Sequence, residues 1–313
     1  MSTVETRYCY RHPDRETGLA CSECGRPICA DCATFAPVGI RCPDHAGTRR
    51  GPTKRIKPPT VQRAPGVALA TGDAPVTKAL IGINLAIYLI TCVQGGGINS
   101  PGGALLNRLV LVGSRAELQF LAAVGRIPPG AVPTGDLTHH HEWYRLVTAM
   151  FLHASIIHIG FNMYVLWVIG TPVEQYLGKV RYLGLYFISG LAGAAGALMQ
   201  APYGTTLGAS GAIFGILGAM MVLEWQVTGR LAGQAAGLVA INLGLSFVIP
   251  NISWGGHVGG LIGGILIMFA YGHWGGRRSR AQYGQLSLGG VLGLILVGVG
   301  SVAVAYFQVR GLA

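Results

Sequence analysis

The segment at residues 253–264 reads SWGGHVGGLIGG, and an earlier segment at residues 208–218 reads GASGAIFGILG. In the later segment, three glycines recur every four residues: Gly256, Gly260 and Gly264. The earlier segment offers a matching set of small residues: Gly211, Gly215 and Gly218. Such stripes let two helices approach closely, which is typical of helix contacts inside membranes. The pattern predicts two closely packed membrane helices, one carrying His257 and the other opening with Ser210.

The composition of the whole chain agrees with a membrane protein. Only 11% of the 313 residues are charged and the mean hydropathy is +0.48, whereas soluble domains carry about 25% charged residues. Seven apolar segments have about the 20 residues that a helix needs to cross a bilayer. They lie at 77–94, 146–170, 180–200, 208–226, 231–250, 254–272 and 287–307. The sequence therefore predicts an all-α polytopic fold, with a six-helix core and a seventh C-terminal helix.

The net charge of +11 first suggests a nucleic-acid-binding protein, but its distribution does not. Twelve of the 23 basic residues lie within residues 1–78, immediately before and at the start of the first apolar segment. A basic stretch there is typical of an anchor at the cytoplasmic membrane face, and it lacks the interleaved aromatic residues of single-strand binders. We therefore expect no nucleic-acid partner.

The loops predict how the chain is oriented. With seven crossings, several basic residues fall on the same side as the N-terminal stretch: Lys179, Arg181, Arg230, Arg277, Arg278 and Arg280. By the positive-inside rule that side is cytoplasmic, so the C-terminus lies outside, and we expect a multi-pass protein of the plasma membrane. Ser210 and His257 then both lie near the outer ends of their helices, at one depth.

Four paired-ligand motifs fill the N-terminal fifty residues. They are Cys9-x2-His12, Cys21-x2-Cys24, Cys29-x2-Cys32 and Cys42-x2-His45. Eight ligands suffice for two tetrahedral Zn²⁺ sites, and a metal would supply the folding energy that so short a segment cannot gain from a core. Disulfides are disfavoured by the predicted cytosolic side. All eight ligands are used, which favours structural rather than catalytic zinc.

The pairing of these motifs has two solutions. The order resembles a B-box or cross-braced finger, which would join the first motif with the third and the second with the fourth; sequential pairing is the alternative. The module is either a structural element or a docking site for a cytoplasmic protein. The remaining cysteine, Cys92, lies in an apolar segment and fits a small buried side chain.

These features divide the chain into four regions. Residues 1–50 form the zinc module and residues 51–76 a basic, Pro-rich linker. Residues 77–272 form the six-helix core, and residues 273–313 a cytoplasmic basic loop with the seventh helix. Within the core, the long stretch at residues 95–145 is predicted to be a partly embedded loop with short helices.

Polar side chains inside apolar segments are functional candidates because burying them in a bilayer is costly. His158 and Asn162 are four residues apart and share one helix face, while His153 precedes the regular helix. Ser210 opens a helix whose first N–H groups lack partners, an arrangement that suits an oxyanion. A serine hydroxyl needs a base to act as a nucleophile, and His257 on the neighbouring helix is the candidate.

These motifs, in this order, resemble those of the rhomboid intramembrane serine proteases. The matching residues are Trp143-x-Arg145, His153-x4-His158-x3-Asn162, Gly208-x-Ser210-Gly211 and Gly256-His257-x2-Gly260-x3-Gly264. The resemblance covers about residues 77–272. It implies a Ser–His dyad that cleaves transmembrane protein substrates near their outer ends, with the fifth span acting as a lateral gate and no cofactor needed for catalysis.

The resemblance also implies a role for each residue. Ser210 is the nucleophile and His257 the general base, while His158, Asn162 and the Ser210 backbone N–H stabilise the oxyanion. The supporting residues are Gly208, Gly211, Phe214, His153, Trp143 and Arg145; of these, Gly208 shapes the nucleophile turn, and the last three support the long loop.

Two positions depart from the pattern. Phe214 stands where many bacterial rhomboids have a tyrosine that stacks on the histidine, so the stack can persist without the hydroxyl. Trp143 and Arg145 are separated by one residue, whereas the usual rhomboid motif has tryptophan and arginine adjacent.

Two other functions fit parts of the sequence. A catalytically inactive rhomboid-like factor would bind membrane proteins or serve their quality control, but such relatives usually lose the nucleophile or the base. A transporter or channel would need a polar path through the bilayer, and the sequence shows neither that path nor an inverted repeat.

Overall fold

The computed structural model describes residues 7–35, 39–46, 73–231, 233–249, 252–273 and 287–312. Residues 51–72 of the predicted linker and three of the basic loop residues (Arg277, Arg278 and Arg280) lie outside the described residues. The chain divides into two compact units, Met1–Gln62 and Arg63–Ala313.

The N-terminal unit contains two small antiparallel hairpins. Strand β1 (Tyr8–Cys9) pairs with β2 (His12–Glu16), and β3 (Thr34–Phe35) pairs with β4 (Ile40–Arg41). Its buried core consists of Ile28 and five of the six cysteines of the module. So few apolar side chains cannot stabilise a fold by burial alone, which leaves the cysteines and histidines as the main candidates for holding it together.

The second unit is helical. Its helices are α1 (Pro75–Gln94), α2 (Gly103–Leu109), α3 (Ala116–Ala123), α4 (Arg145–Thr148), α5 (Ile156–Val165), α6 (Thr171–Leu177), α7 (Lys179–Gln200), α8 (Ser210–Thr228), α9 (Gln234–Val248), α10 (Trp254–His273) and α11 (Leu288–Val309). A π-helical turn, Leu166–Gly170, joins α5 and α6 into one continuous helix. Within the described residues, six helices are long and apolar enough to cross a membrane, which confirms a polytopic helical membrane protein.

Two predicted spans differ from the observed helices. The second was predicted to begin at residue 146, but its helix begins at Ile156, after α4 and a 3-10 turn at Ala149–Phe151. The apolar residues before it, Leu146 and Leu152 among them, are buried against the protein, and hydropathy does not distinguish a protein interior from lipid. The fifth span was predicted at residues 231–250, but α9 has only 15 residues. A helix of that length extends about 22 Å.

Helix α10 packs between α8 and α7 through glycines on two of its faces. Toward α8, a Cβ on Gly260 would lie 2.0 Å from the Gly211 carbonyl oxygen, and one on Gly264 would lie 2.0 Å from that of Gly215. Toward α7, a Cβ on Gly259 would lie 2.4 Å from the Ala192 carbonyl oxygen. The backbones of three helices are therefore almost in contact, and this arrangement fixes where His257 stands relative to Ser210.

Candidate active site and candidate metal centres

Ser210 is the first residue of α8, and the turn before it is shaped by Gly208. Gly208 has φ +129°, a conformation that L side chains rarely adopt. A Cβ there would lie 2.9 Å from Cε1 of His158 and 3.0 Å from its Nε2. Because Gly208 has no side chain, the edge of the His158 ring can lie beside the start of α8.

A cavity of about 630 Å³ contains the side chains predicted to act in catalysis. Its lining includes Ser210, His257, His158 and Asn162, from α8, α10 and α5. His257 and Asn162 are buried, and Ser210 and His158 are half-buried. The fold therefore brings together four polar side chains that lie up to 99 residues apart, as the numbers of His158 and His257 show.

The imidazole of His257 makes a stacking contact on one face and a hydrogen bond at one nitrogen. Its ring stacks on Phe214, with 4.2 Å between ring centroids and 14° between planes. Its Nδ1 lies 2.6 Å from Oγ of Ser246 on α9. Among the hydrogen bonds of the described residues, none joins Ser210 to His257; in enzymes without substrate, such catalytic contacts are often long and shorten on binding.

His158 and Asn162 are oriented by their own helix. Nδ1 of His158 accepts a hydrogen bond from the Ala154 N–H at 3.3 Å, so in the neutral ring the proton resides on Nε2, which faces Gly208. Asn162 donates one N–H to the His158 carbonyl at 2.8 Å, leaving its second N–H for another acceptor. Both side chains can therefore donate a hydrogen bond into the cavity.

The start of α8 adds backbone donors. The N–H groups of Ser210, Gly211 and Ala212 have no acceptor among the described hydrogen bonds, whose series in this helix begins with Ile213 N–H to the Ala209 carbonyl. Free N–H groups and the positive end of the helix dipole both favour a negative charge. The cavity can therefore bind an oxyanion close to the Ser210 hydroxyl.

His153 lies behind this cavity. The side chain is fully buried, and its ring meets that of His158 edge-on, with 5.0 Å between centroids. Its ring nitrogens have no hydrogen-bond partner in the described part of the chain. The resemblance implied that His153 supports the long loop; its described ring contact is with His158.

Arg145 joins the long loop to the helical core. Its fully buried guanidinium donates to the Glu142 carboxylate at 2.6 Å and to the backbone carbonyls of Asn107 and Val110 at 3.1 and 2.7 Å. Trp143, two residues earlier, packs on Tyr306 of α11 with 6.2 Å between ring centroids. The intervening residue lets these two side chains reach different partners.

A second anchor of the loop is Asp136, which is fully buried. Burial works to raise its pKa, but hydrogen bonds from the His140 side chain and from the backbone N–H groups of His139 and Arg115 hold the pKa below its usual range. The carboxylate thus stays charged at neutral pH and gathers the loop around itself.

The eight predicted metal ligands form two groups in the interleaved order. One contains Cys9, His12, Cys29 and Cys32, and the other contains Cys21, Cys24, Cys42 and His45. Each group is therefore Cys3His: one combines the first and third motifs of the chain, and the other combines the second and fourth. Of the two pairings that the spacing allowed, this is the cross-braced one.

The spacing of the ligand atoms suits a tetrahedral metal. A Zn²⁺ ion with ordinary bond lengths requires about 3.5 Å between sulfur and nitrogen ligands and about 3.8 Å between two sulfurs. Nδ1 of His12 lies 3.4 Å from Sγ of both Cys29 and Cys32, and the sulfurs of Cys24 and Cys42 are 3.8 Å apart. Both groups of residues therefore fit Zn²⁺.

One thiol in each centre has a pKa well below its usual range. Burial works to raise the pKa of Cys9, but hydrogen bonds from the backbone of Cys29 and Arg11 lower it to about 6. The pKa of Cys21 is likewise lowered to about 6, by backbone hydrogen bonds that include one from Cys42, against the effect of burial. Metals bind thiolates, so Cys9 and Cys21 each favour the form that a metal requires, whereas burial raises the pKa of Cys32 to about 11.

Ser246 and Tyr306 were not among the residues predicted from the sequence. Ser246 lies four residues after Asn242 on α9, and two polar residues on one face of an apolar helix were a usable signal. The Trp143–Tyr306 contact joins residues 163 positions apart, and nothing in the local sequence indicates it.

Comparison with known proteins adds independent evidence. Residues 140–274 match the Rhomboid domain. The chain is 30% identical over 221 residues to rhomboid protease GluP of Bacillus subtilis, covering 69% of this chain and 39% of GluP. It is 35% identical over 164 residues to RHOMBOID-like protein 1 of Arabidopsis thaliana, covering 50% of this chain and 40% of that protein.

A shorter relative is covered more completely. The chain is 36% identical over 134 residues to putative rhomboid protease YdcA of Bacillus subtilis, covering 41% of this chain and 67% of YdcA. The chain thus spans about two fifths of GluP and of RHOMBOID-like protein 1 but two thirds of YdcA. Residues 140–274, which match the Rhomboid domain, contain α5 to α10 and the four cavity residues that we predicted to act in catalysis. With this match and the coverage of YdcA, the chain belongs to the rhomboid family.

Proposed function

We propose that this protein is an intramembrane serine endopeptidase with Ser210 as nucleophile and His257 as general base. The observation that carries the proposal is the single cavity in which Ser210, His257, His158 and Asn162 meet. GluP is named a rhomboid protease and YdcA a putative rhomboid protease, which supports the same reaction here.

The chemistry follows from these groups. The Ser210 hydroxyl attacks the carbonyl carbon of the scissile peptide bond while Nε2 of His257 takes its proton. The resulting oxyanion receives hydrogen bonds from the Ser210 backbone N–H, Nε2–H of His158 and Nδ2–H of Asn162. As the tetrahedral intermediate collapses, His257 returns the proton to the leaving amine. Water, deprotonated by the same imidazole, then hydrolyses the acyl-enzyme and restores the Ser210 hydroxyl.

The substrates we propose are transmembrane segments of other proteins. The cavity lies among helices that themselves cross the membrane, so a substrate helix in the bilayer is the natural source of a peptide bond. Helix α9, which borders the cavity, spans only about 22 Å against a hydrocarbon core of about 30 Å. This short helix is the proposed lateral gate. Gly211 and Phe214 of α8 are proposed to support the dyad, Phe214 by stacking on His257.

The loop charges support an orientation for this reaction. We propose a plasma-membrane protein whose N-terminus is cytoplasmic and whose C-terminus and cavity opening face outward. The N-terminal module would then hold two structural Zn²⁺ ions in the reducing cytosol, available to a cytoplasmic protein partner.

The test uses the full-length protein in proteoliposomes with a model transmembrane substrate and a fluorophosphonate probe. We expect Ser210→Ala and His257→Ala each to lower cleavage by at least about 1,000-fold, and the probe to modify Ser210. Ser301→Ala on α11 is the control, since Ser301 is a helical serine outside the cavity, bonded to the Val297 carbonyl. Specific binding of the substrate without cleavage or labelling of the wild type would identify an inactive binding factor instead.

A further inference from the structure

Ser246 makes a contact that the proposed dyad does not require. Its Oγ lies 2.6 Å from Nδ1 of His257 and 2.8 Å from the backbone carbonyl oxygen of Asn242. Ser246 and His257 are both buried, with 4% and 8% of their surfaces exposed. Since water has little access, the hydroxyl and the imidazole must satisfy each other's hydrogen bonds.

Counting protons fixes the direction of these bonds. A serine hydroxyl has one hydrogen, and a backbone carbonyl can only accept. When the Ser246 hydroxyl donates to the Asn242 carbonyl, the contact with His257 requires Nδ1–H to donate to Oγ. A neutral imidazole protonated on Nδ1 has its lone pair on Nε2, which is the form that a general base needs.

We propose that Ser246 is a positioning residue that holds His257 in the Nδ1–H tautomer with Nε2 free to take the proton of Ser210. This inference deepens the proposed function and rests on it. In acylation the proton passes from Ser210 Oγ to Nε2 and then to the leaving amine, while Nδ1–H stays bonded to Ser246 throughout. A neutral hydroxyl thus takes the orienting place that a carboxylate has in a Ser-His-Asp triad.

The other described contacts around the His257 ring do not select its tautomer. Phe214 stacks on one face of His257 and sets the plane of the imidazole, but a stack does not select a tautomer. The nearby hydroxyl of Ser253 bonds instead to the Gln200 amide oxygen at 3.2 Å and to the Gly256 N–H at 3.1 Å. Among the described residues, Ser246 is the hydrogen-bond partner of the His257 side chain.

The position of α9 therefore matters to the chemistry. At its beginning, the Ala235 N–H donates to the buried Glu224 carboxylate of α8 at 3.1 Å. Near its end, Ser246 bonds to His257 of α10. Movement of the second end away from α10 would remove the acceptor from Nδ1, so the base is fully prepared only while α9 is packed in place.

The experiment measures the tautomer and the reaction separately. Full-length protein labelled with ¹⁵N-histidine is studied by NMR in detergent at a pH where histidine is neutral, and the His257 signals are identified by their loss in His257→Gln. We expect protonated Nδ1 and unprotonated Nε2 in the wild type and in Ser246→Thr, which keeps the hydroxyl. In Ser246→Ala the preference for that tautomer is lost.

Kinetics on the same variants give the second measurement. We expect Ser246→Ala to lower kcat about five- to tenfold, the value of one neutral hydrogen bond, with KM within twofold and a changed pH profile of kcat. Ser246→Thr recovers most of the rate, and Ser301→Ala, the matched helical serine, matches the wild type. A kcat for Ser246→Ala within twofold of the wild type, or above it, would overturn the inference.

The two hypotheses fail in different ways. A wild type that neither cleaves substrate nor reacts with a fluorophosphonate contradicts the proposed function, and the NMR result then decides the Ser246 inference alone. A wild-type His257 protonated on Nε2 overturns the inference, even where cleavage is normal. Retention of the Nδ1–H tautomer in Ser246→Ala also overturns it.

Discussion

Gly208 is the residue on which the shape of the proposed nucleophile turn depends. Two separate constraints act on it: its φ of +129° strains any L side chain, and a Cβ would contact the His158 ring at 2.9 Å. Gly229, which ends α8, has φ +70° but open space around a Cβ. This pair allows backbone strain to be separated from contact with the site.

We expect Gly208→Ala to lower kcat at least tenfold, because the methyl group displaces His158 from the oxyanion position. The strain costs about 1–3 kcal/mol of stability. Gly229→Ala should show a comparable loss of stability in thermal unfolding, with little change in kcat. Equal activity of the two variants would show that the His158 contact is unimportant for the reaction.

Single polar residues were the most predictable part of the site. Ser210, His257, His158 and Asn162 stand out because each is polar in an apolar segment, and the structure places all four in one cavity. The polar face of α9 could have been noticed, but the contact between Ser246 and His257 was not predictable, because the two residues lie on different helices. The proposed tautomer of His257 depends on the distance between Ser246 Oγ and His257 Nδ1, and the spacing of residues along the chain does not predict that distance.

At the level of elements, α10 depends on its glycines. Its contacts with α8 leave no room for a methyl group at Gly260, where the obstacle is the backbone of Gly211. On α11, by contrast, Gly300 has nothing within 4 Å of a Cβ. Both are interior helical glycines, so alanine improves the intrinsic helix propensity equally at the two positions.

We therefore expect opposite effects on stability. Gly260→Ala should destabilise the protein by about 1–3 kcal/mol through overpacking and lower activity, because it separates the helices that carry Ser210 and His257. Gly300→Ala should be neutral or stabilising by up to about 1 kcal/mol. Thermal unfolding in one detergent compares the two, and a Gly260→Ala variant as stable as Gly300→Ala would contradict the close packing.

The long loop is the element whose internal structure was hardest to predict. The sequence indicated short helices, and the structure has α2 and α3 there. Its connection to the core runs through Arg145, whose partners at Asn107 and Val110 lie 35 or more residues away. The apolar residues of α4 were mistaken for the start of a membrane span. They are buried by this loop and by α7, and hydropathy does not distinguish such burial from contact with lipid.

Arg145→Lys tests this connection. A lysine has one compact ammonium group and cannot reach the Glu142 carboxylate and two carbonyls as a planar guanidinium does. We expect a loss of about 1–3 kcal/mol from acceptors left unsatisfied in a buried place, together with faster proteolysis within residues 95–145. Arg108→Lys, at an exposed position of the same loop, should resemble the wild type; equal proteolysis of both variants would refute the anchoring role.

At the scale of the whole molecule, the two units draw their stability from different sources. The membrane unit packs helices, whereas the N-terminal unit buries little besides Ile28 and its cysteines. The ligand motifs were evident in the sequence because each consists of two ligands separated by two residues. Their pairing was not, since spacing along the chain is the same for sequential and cross-braced arrangements.

Metal content of the full-length protein distinguishes these arrangements. We expect about two Zn²⁺ per chain in the wild type and in Cys92→Ser, which alters the cysteine of α1, and about one in Cys9→Ser. The double variant Cys9→Ser/Cys29→Ser should still hold about one, because both changes fall in the same centre. Complete loss of zinc in the double variant, with one ion retained in each single variant, would support sequential pairing.

The glycine faces of α10 have a consequence for how this protein can change over generations. Five of its glycines, at 255, 259, 260, 263 and 264, would each bring a Cβ within 3.0 Å of a neighbouring helix. Even alanine, the smallest possible replacement, is obstructed there, while Ile262 and Leu266 on the remaining face are half exposed to the surroundings. A saturation mutagenesis survey should therefore find one tolerant face on this helix and two that accept almost no substitution, so that the histidine-bearing helix can diversify only toward the lipid.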